Sequence, residues 1–159
     1  MILEPAAEDG YWKSIVSAFV HSGTGEGMRE TSTAPLIGWS RAFPATPTQI
    51  RRVREFLAGL LDGHPAADDA ILCLSELATN ATLHSRSREP GGSFRVRAER
   101  HGRHVRVEVT DQGGPWQQQP SGDDQNGRGL LVVARLAQNW GRTGDEHTGW
   151  TIWFEIEAQ

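Results

Sequence analysis

The chain has 159 residues, which at ~100–200 residues per domain means one domain with room for an extra arm. Hydrophobic residues at 37% and charged residues at 23% supply one core and exclude a disordered chain. A net charge of -4 excludes a general nucleic-acid binder, which needs clustered positive charge.

Residues 1–38 read as an arm separate from the rest. The opening MILEPAAEDGYWK carries acidic residues and no basic stretch before its apolar part, so it is not expected to be a signal peptide. Lys13 is the only lysine and lies outside any glycine-rich loop, which sets aside Walker-lysine and Schiff-base chemistry. Trp12, Ile15, Val16, Phe19 and Val20 fall at i, i+3, i+4, i+7 and i+8, an amphipathic helix stripe. A Gly/Ser/Thr-rich linker then runs to Pro35. Its GTGEG run follows no strand and misses the dinucleotide spacing. The short helix either packs on its own domain or serves as a partner-binding or dimer-forming arm.

Residues 39–159 read as the folded domain. The segment WSRAFPA, with short alternation and a proline, suits an edge strand. Thr46-Pro47 offers an N-cap and a first-turn proline for a helix carrying Ile50, Val53, Phe56, Leu57, Leu60 and Leu61. That helix stops near Gly63-His64-Pro65, and a second runs to about Ser85 with Asp68 and Asp69 near its positive end. Ala70, Leu74, Leu77 and Ala81 form its buried stripe, and Cys73 lies in the same apolar run as a core residue. One cysteine excludes an internal disulfide and any multi-cysteine metal site. Phe94, Val96 and Ala98, then Val105, Val107 and Val109, alternate with polar residues across a short turn, an antiparallel hairpin with one buried face. A loop at 116–126 precedes a helix beginning at Gly127-Arg128-Gly129, and Trp150, Ile152, Phe154 and Ile156 alternate in a final strand. The order predicts an α+β fold, a layer of helices on one face of a mostly antiparallel sheet. No apolar run reaches the ~18 residues of a membrane span, so a cytoplasmic protein is expected.

Three features could carry chemistry. Glu76 and Asn80, four residues apart on the second helix, share a face. A carboxylate there can act as a general base, and an amide oxygen can bind a hard cation such as Mg²⁺. The plain alternative is a solvated helix face. Asp111 ends an alternating strand before two glycines, where a carboxylate could accept from an exocyclic amine; it could equally be a strand-ending turn. Gly127-Arg128-Gly129 opens a helix, where backbone N–H groups and the helix dipole favour an anion; a simple loop-to-helix joint has the same look.

In order, LSELATNATLH resembles the N-box of the Bergerat-fold ATPases, VEVTDQGG their first glycine box and NGRGLLVVARLAQNWG their second. This superfamily includes histidine-kinase catalytic domains, gyrase B and Hsp90. Within it, S-E-L-x-T-N-A-x-x-H and the compact length are similar to the bacterial anti-sigma-factor serine kinases and to small ATP-binding regulators of actinobacteria. The resemblance covers residues 39–157. It implies ATP and Mg²⁺ as cofactors, with Asn80 as the Mg²⁺-binding asparagine and Glu76 as the base on the attacking hydroxyl. By the same resemblance Asp111 reads the adenine amine and Gly113 supports the base pocket. Gly127 and Gly129 let the second box bend around the phosphates, Arg128 approaches them, and Thr151 is an adenine-side contact. His84 matches the last residue of the N-box.

The implied activity is phosphoryl transfer to a serine of a small anti-sigma-factor antagonist, with a sigma factor as a second partner and a homodimer as the assembly. Pro115 departs from the pattern by replacing a spaced glycine, and residues 116–126 lack a basic phosphate-sensing residue. A non-catalytic module that uses ATP only as a structural ligand is the alternative. A self-contained ATP hydrolase ranks below it, and the chain shows no membrane or phosphoacceptor segment of a sensor histidine kinase.

Overall fold

The computed structural model describes residues 36–115 and 128–158. The predicted arm helix, the loop at 116–126 and Gly127 lie outside them.

The first strand, β1 (Ile37–Pro44), is the predicted edge strand and pairs antiparallel with β2 (Ser93–His101). It takes in Ile37 and Gly38, which the sequence reading left in the arm. The strand β2 pairs with β3 (His104–Thr110) across the turn at Gly102-Arg103, as the alternation requires. Two further strands, β4 (Asn139–Asp145) and β5 (Gly149–Glu157), complete an antiparallel sheet in the order β1-β2-β3-β5-β4. The strand β4 escapes sequence reading because it is an exposed edge, NWGRTGD, with two glycines and no apolar alternation.

One face of the sheet is apolar. Phe43, Phe94, Val96, Ala98, Val105, Val107, Val109, Ile152, Phe154 and Ile156 are all buried there. The helices α1 (Gln49–Leu60), α2 (Ala67–His84) and α3 (Arg128–Leu136) supply the other half of the core. In α2 the stripe Ala70, Leu74, Leu77 and Ala81 is buried as its spacing demands, together with Cys73 and Ala78. Truncating Leu74 or Leu77, both essentially without solvent contact, would cost about 2–5 kcal/mol. Burial pushes the Cys73 thiol up to about 12, so it is packing material and not a nucleophile.

The first helix starts later than predicted. Thr48, not Thr46, is the N-cap, and it makes no side-chain capping bond. Thr46 instead closes a turn: its carbonyl accepts from the Gln49 N–H at 3.0 Å. Between α1 and α2, His64 is nearly buried and bridges two loops. Its Nδ1 accepts from the Ala66 N–H at 3.2 Å, which leaves Nε2 to donate to the Gly102 carbonyl at 3.0 Å.

The other sheet face is polar. Arg106 contacts Glu155 at 2.6 Å and Glu108 at 2.8 Å, and its guanidinium lies 4.3 Å from the centre of the Trp153 ring. Both Arg106 and Glu155 are buried, so removing either partner alone would strand a charge, the costly way to break such a pair.

Candidate functional site

The strand β3 delivers Asp111 one residue past its end, on the helix side of the sheet by alternation from Val107 and Val109. Its Oδ1 accepts two backbone bonds, from the Gly113 N–H at 2.7 Å and the Trp150 N–H at 3.1 Å. Neither of these bonds uses Oδ2. Burial raises the Asp111 pKa above its ordinary value, and the two N–H donors only partly oppose this.

The turn that follows is tied down on every side. Gly113 adopts φ +81°, and a Cβ there would fall 2.4 Å from the Glu146 carbonyl, so the position requires glycine. The Gly114 N–H donates to the Glu146 carbonyl at 2.9 Å. Just after α2, the Arg86 N–H donates to the Gly113 carbonyl at 2.8 Å. Ser87, within a single 3-10 turn at Arg86–Arg88, accepts from the Gln112 N–H at 3.0 Å. The segment SREPGG, a loop by sequence, is therefore a brace joining α2 to the first glycine box.

The middle of α2 presents Glu76 and Asn80, both half-buried. Gly129, in the first turn of α3, packs directly on them. A Cβ at Gly129 would meet the Glu76 Oε2 at 2.8 Å and the Asn80 Nδ2 at 3.6 Å. Here glycine permits close approach between helices. Among the described residues, none makes a recorded hydrogen bond or ion pair with the Glu76 carboxylate or the Asn80 amide. Arg128 opens α3 and is exposed, one residue before Gly129.

The structure thus brings Glu76, Asn80 and Gly129 together, and separately Asp111 and Gly113. The first group sits on the middle of α2, and the second is held by the 3-10 turn that follows the end of α2. Asn80 lies one turn before the end of α2 at His84, and the extended Ser85 separates that end from the 3-10 turn at Arg86–Arg88. Thr151 is not among them. Its hydroxyl lies 2.8 Å from that of Thr110 on the polar face of the sheet, away from the Asp111 carboxylate. The β5 residue bonded to Asp111 is its neighbour Trp150, whose alternation with Ile152, Phe154 and Ile156 already puts it on the helix face. His84 ends α2 and is exposed.

Two surface depressions stand out elsewhere. One, lined by Arg51, Arg54, Glu55, Ala58 and Ile71, lies on the helices away from the three motifs. The other, lined by Arg86, Glu89–Gly92 and Gln112, borders the brace. Neither includes Glu76, Asn80 or Asp111. Among the described residues no group of three or more His, Cys, Asp and Glu could hold a metal ion. Asn80 fits the role of a single hard-oxygen donor to a cation that draws its remaining ligands from phosphates and water. No described helix is long and apolar enough to cross a membrane.

A five-stranded antiparallel sheet under three helices, with an acidic residue at a strand end and an Asn on the facing helix, defines a nucleotide-binding domain of the Bergerat type. The family model for the histidine kinase-like ATPase domain matches residues 43–155, and the chain belongs to that family. No curated protein matches the chain. Membership of the family makes this an ATP-binding domain.

Proposed function

We propose that the protein is an ATP-dependent regulatory serine kinase of the anti-sigma-factor type, working in the cytoplasm. It would phosphorylate a small antagonist protein, sequester a sigma factor, or do both. The observation that supports transfer is the Glu76–Asn80 pair: a carboxylate and an amide on one helix face, against Gly129 and without described partners of their own.

In this reading Asp111 accepts the adenine amine through Oδ2, and the opening of α3 at Arg128-Gly129 faces the phosphates. Asn80 would hold Mg²⁺ through its amide oxygen. The ion, when bound, would neutralise charge on the phosphate oxygens. Glu76 would orient the acceptor serine hydroxyl and take its proton as the oxygen attacks the γ-phosphorus. The bond from that phosphorus to the bridging oxygen of ADP then breaks. Most of the acceleration would come from positioning and electrostatics.

The test is transfer of γ-phosphate label from ATP to small serine-bearing antagonist proteins. Glu76→Ala should abolish labelling and leave ATP binding within about twofold. Labelling that survives in Glu76→Ala would overturn the assigned base. Binding of ATP with no labelled acceptor would favour the alternative, a partner-binding module with ATP as a structural ligand.

A further inference from the structure

The geometry points to Trp150 as a positioning residue that sets selectivity for the adenine amine. This rests on the adenine-nucleotide reading of the same site.

Trp150 touches the base-reading turn at three atoms. Its backbone N–H donates to the Asp111 Oδ1 at 3.1 Å, and its carbonyl accepts from the Asp111 N–H at 2.9 Å. Its indole Nε1–H donates to the Gly114 carbonyl at 2.9 Å. The Arg142 guanidinium lies over the indole ring, 4.3 Å from its centre, and holds it from the β4 side.

The consequence is directional. A carboxylate with one oxygen fixed by two N–H donors can point its other oxygen only one way. One of those donors is Trp150 itself, and the other is Gly113, the residue beside the carbonyl that the indole grips. The indole therefore locks the two donors of Oδ1 to each other across the junction of β3 and β5. Without it, Gly113 and Trp150 can shift apart, and Oδ2 loses its aim at the exocyclic amine. A ring that merely filled space there would leave the aim unchanged. A donor at the Nε1 position is the part that matters.

Two substitutions separate donor from bulk. Trp150→Phe keeps an aromatic ring and removes the donor. Trp150→His keeps an N–H at the equivalent place on a five-membered ring and removes the bulk. The full chain would be titrated calorimetrically with ATP and with purine riboside triphosphate, which lacks the exocyclic amine, while melting reports folding.

In Trp150→Phe the affinity for ATP should fall about tenfold while that for the amine-free nucleotide changes less than about twofold, so the preference collapses. Trp150→His should retain most of the preference. Equal weakening for both nucleotides would mean general loosening and would overturn the proposal, as would an unchanged preference in Trp150→Phe. Should Trp150→Phe fail to fold, a lost preference in a folded Trp150→His overturns the proposal and a retained one supports it. A wild-type chain that binds neither nucleotide would overturn the nucleotide reading itself, an outcome distinct from all of these.

Discussion

The Asp111–Gly114 turn and the Glu76–Asn80 face are built in opposite ways. The turn is held by backbone bonds from β5, from the β4–β5 connection and from the 3-10 turn after α2. The face is shaped only by packing, with Gly129 set against two polar side chains that have no described partners. The difference matches the two tasks proposed for them. Recognition of a rigid base gains from a site organised before the ligand arrives, since no ordering cost remains at binding. Groups that handle a cation and a mobile hydroxyl must stay available until those arrive.

The largest expected effect on binding breaks the turn's chemistry without breaking its shape. Asp111→Asn keeps an acceptor oxygen for the Gly113 and Trp150 N–H groups but turns an NH₂ donor toward the adenine amine. Two donors then face each other, and ATP affinity should fall about 100-fold, or about 2.7 kcal/mol. The melting temperature should hold or rise, because the substitution removes a charge that burial disfavours. A large loss of stability would mean that the ionised carboxylate is itself structural, and the turn would then be no recognition element.

Two glycine substitutions sharpen the same contrast by stability. Gly113 and Gly91 have nearly equal φ, +81° and +80°. A Cβ at Gly91 meets nothing within 4 Å, whereas one at Gly113 runs into the Glu146 carbonyl. Gly91→Ala should therefore cost about 1 kcal/mol, the backbone term alone. Gly113→Ala should cost about 3 kcal/mol or more, because backbone must move as well. Similar values from denaturant melts would show the turn to be looser than its bonds suggest.

A pH series tests whether the Asp111 charge is used. Its raised pKa has a defined sign: the associated stability is present below the ordinary carboxylate range and is lost as pH rises through the raised value. Adenine recognition needs the opposite, ionised form. The preference for ATP over purine riboside triphosphate should thus fade on acidification at a higher pH than an ordinary aspartate would give. Asp111→Asn should show no such dependence. A preference that stays level down to the ordinary carboxylate range would remove the carboxylate from the recognition step.

How much of this was legible in the sequence follows from what each element leaves behind. Buried stripes and alternating strands leave a period, so α1, α2, β2, β3 and β5 can be read directly. The exposed edge β4 leaves none. Glu76, Asn80 and Asp111 stand out through spacing and context, because a shared helix face and a strand end are properties of short segments. Thr151 alternates with Trp150 and Ile152 and so lies on the far face; which residue it meets there is set by the register of β5 against β3, a long-range property. A one-residue difference sends its hydroxyl to Thr110 on the far face and leaves Trp150 beside Asp111. The brace at Arg86–Arg88 was invisible for the same reason: its bonds go to Gln112 and Gly113, far along the chain.

The smallest expected effect is the most direct check on the unengaged face. Glu76→Gln swaps residues of similar helix propensity, and Asn80→Ala replaces a poor helix former with the best. Neither side chain has a described hydrogen bond to lose. The double variant should therefore melt within about 0.5 kcal/mol of wild type, or slightly higher, while Mg²⁺-dependent tightening of ATP binding disappears. A destabilisation above about 2 kcal/mol would mean that the pair already serves the fold through partners beyond the described residues. The division between an organised base-reading end and a waiting catalytic end would then fall. An unchanged melt with unchanged Mg²⁺ dependence would keep the division and move the cation away from Asn80.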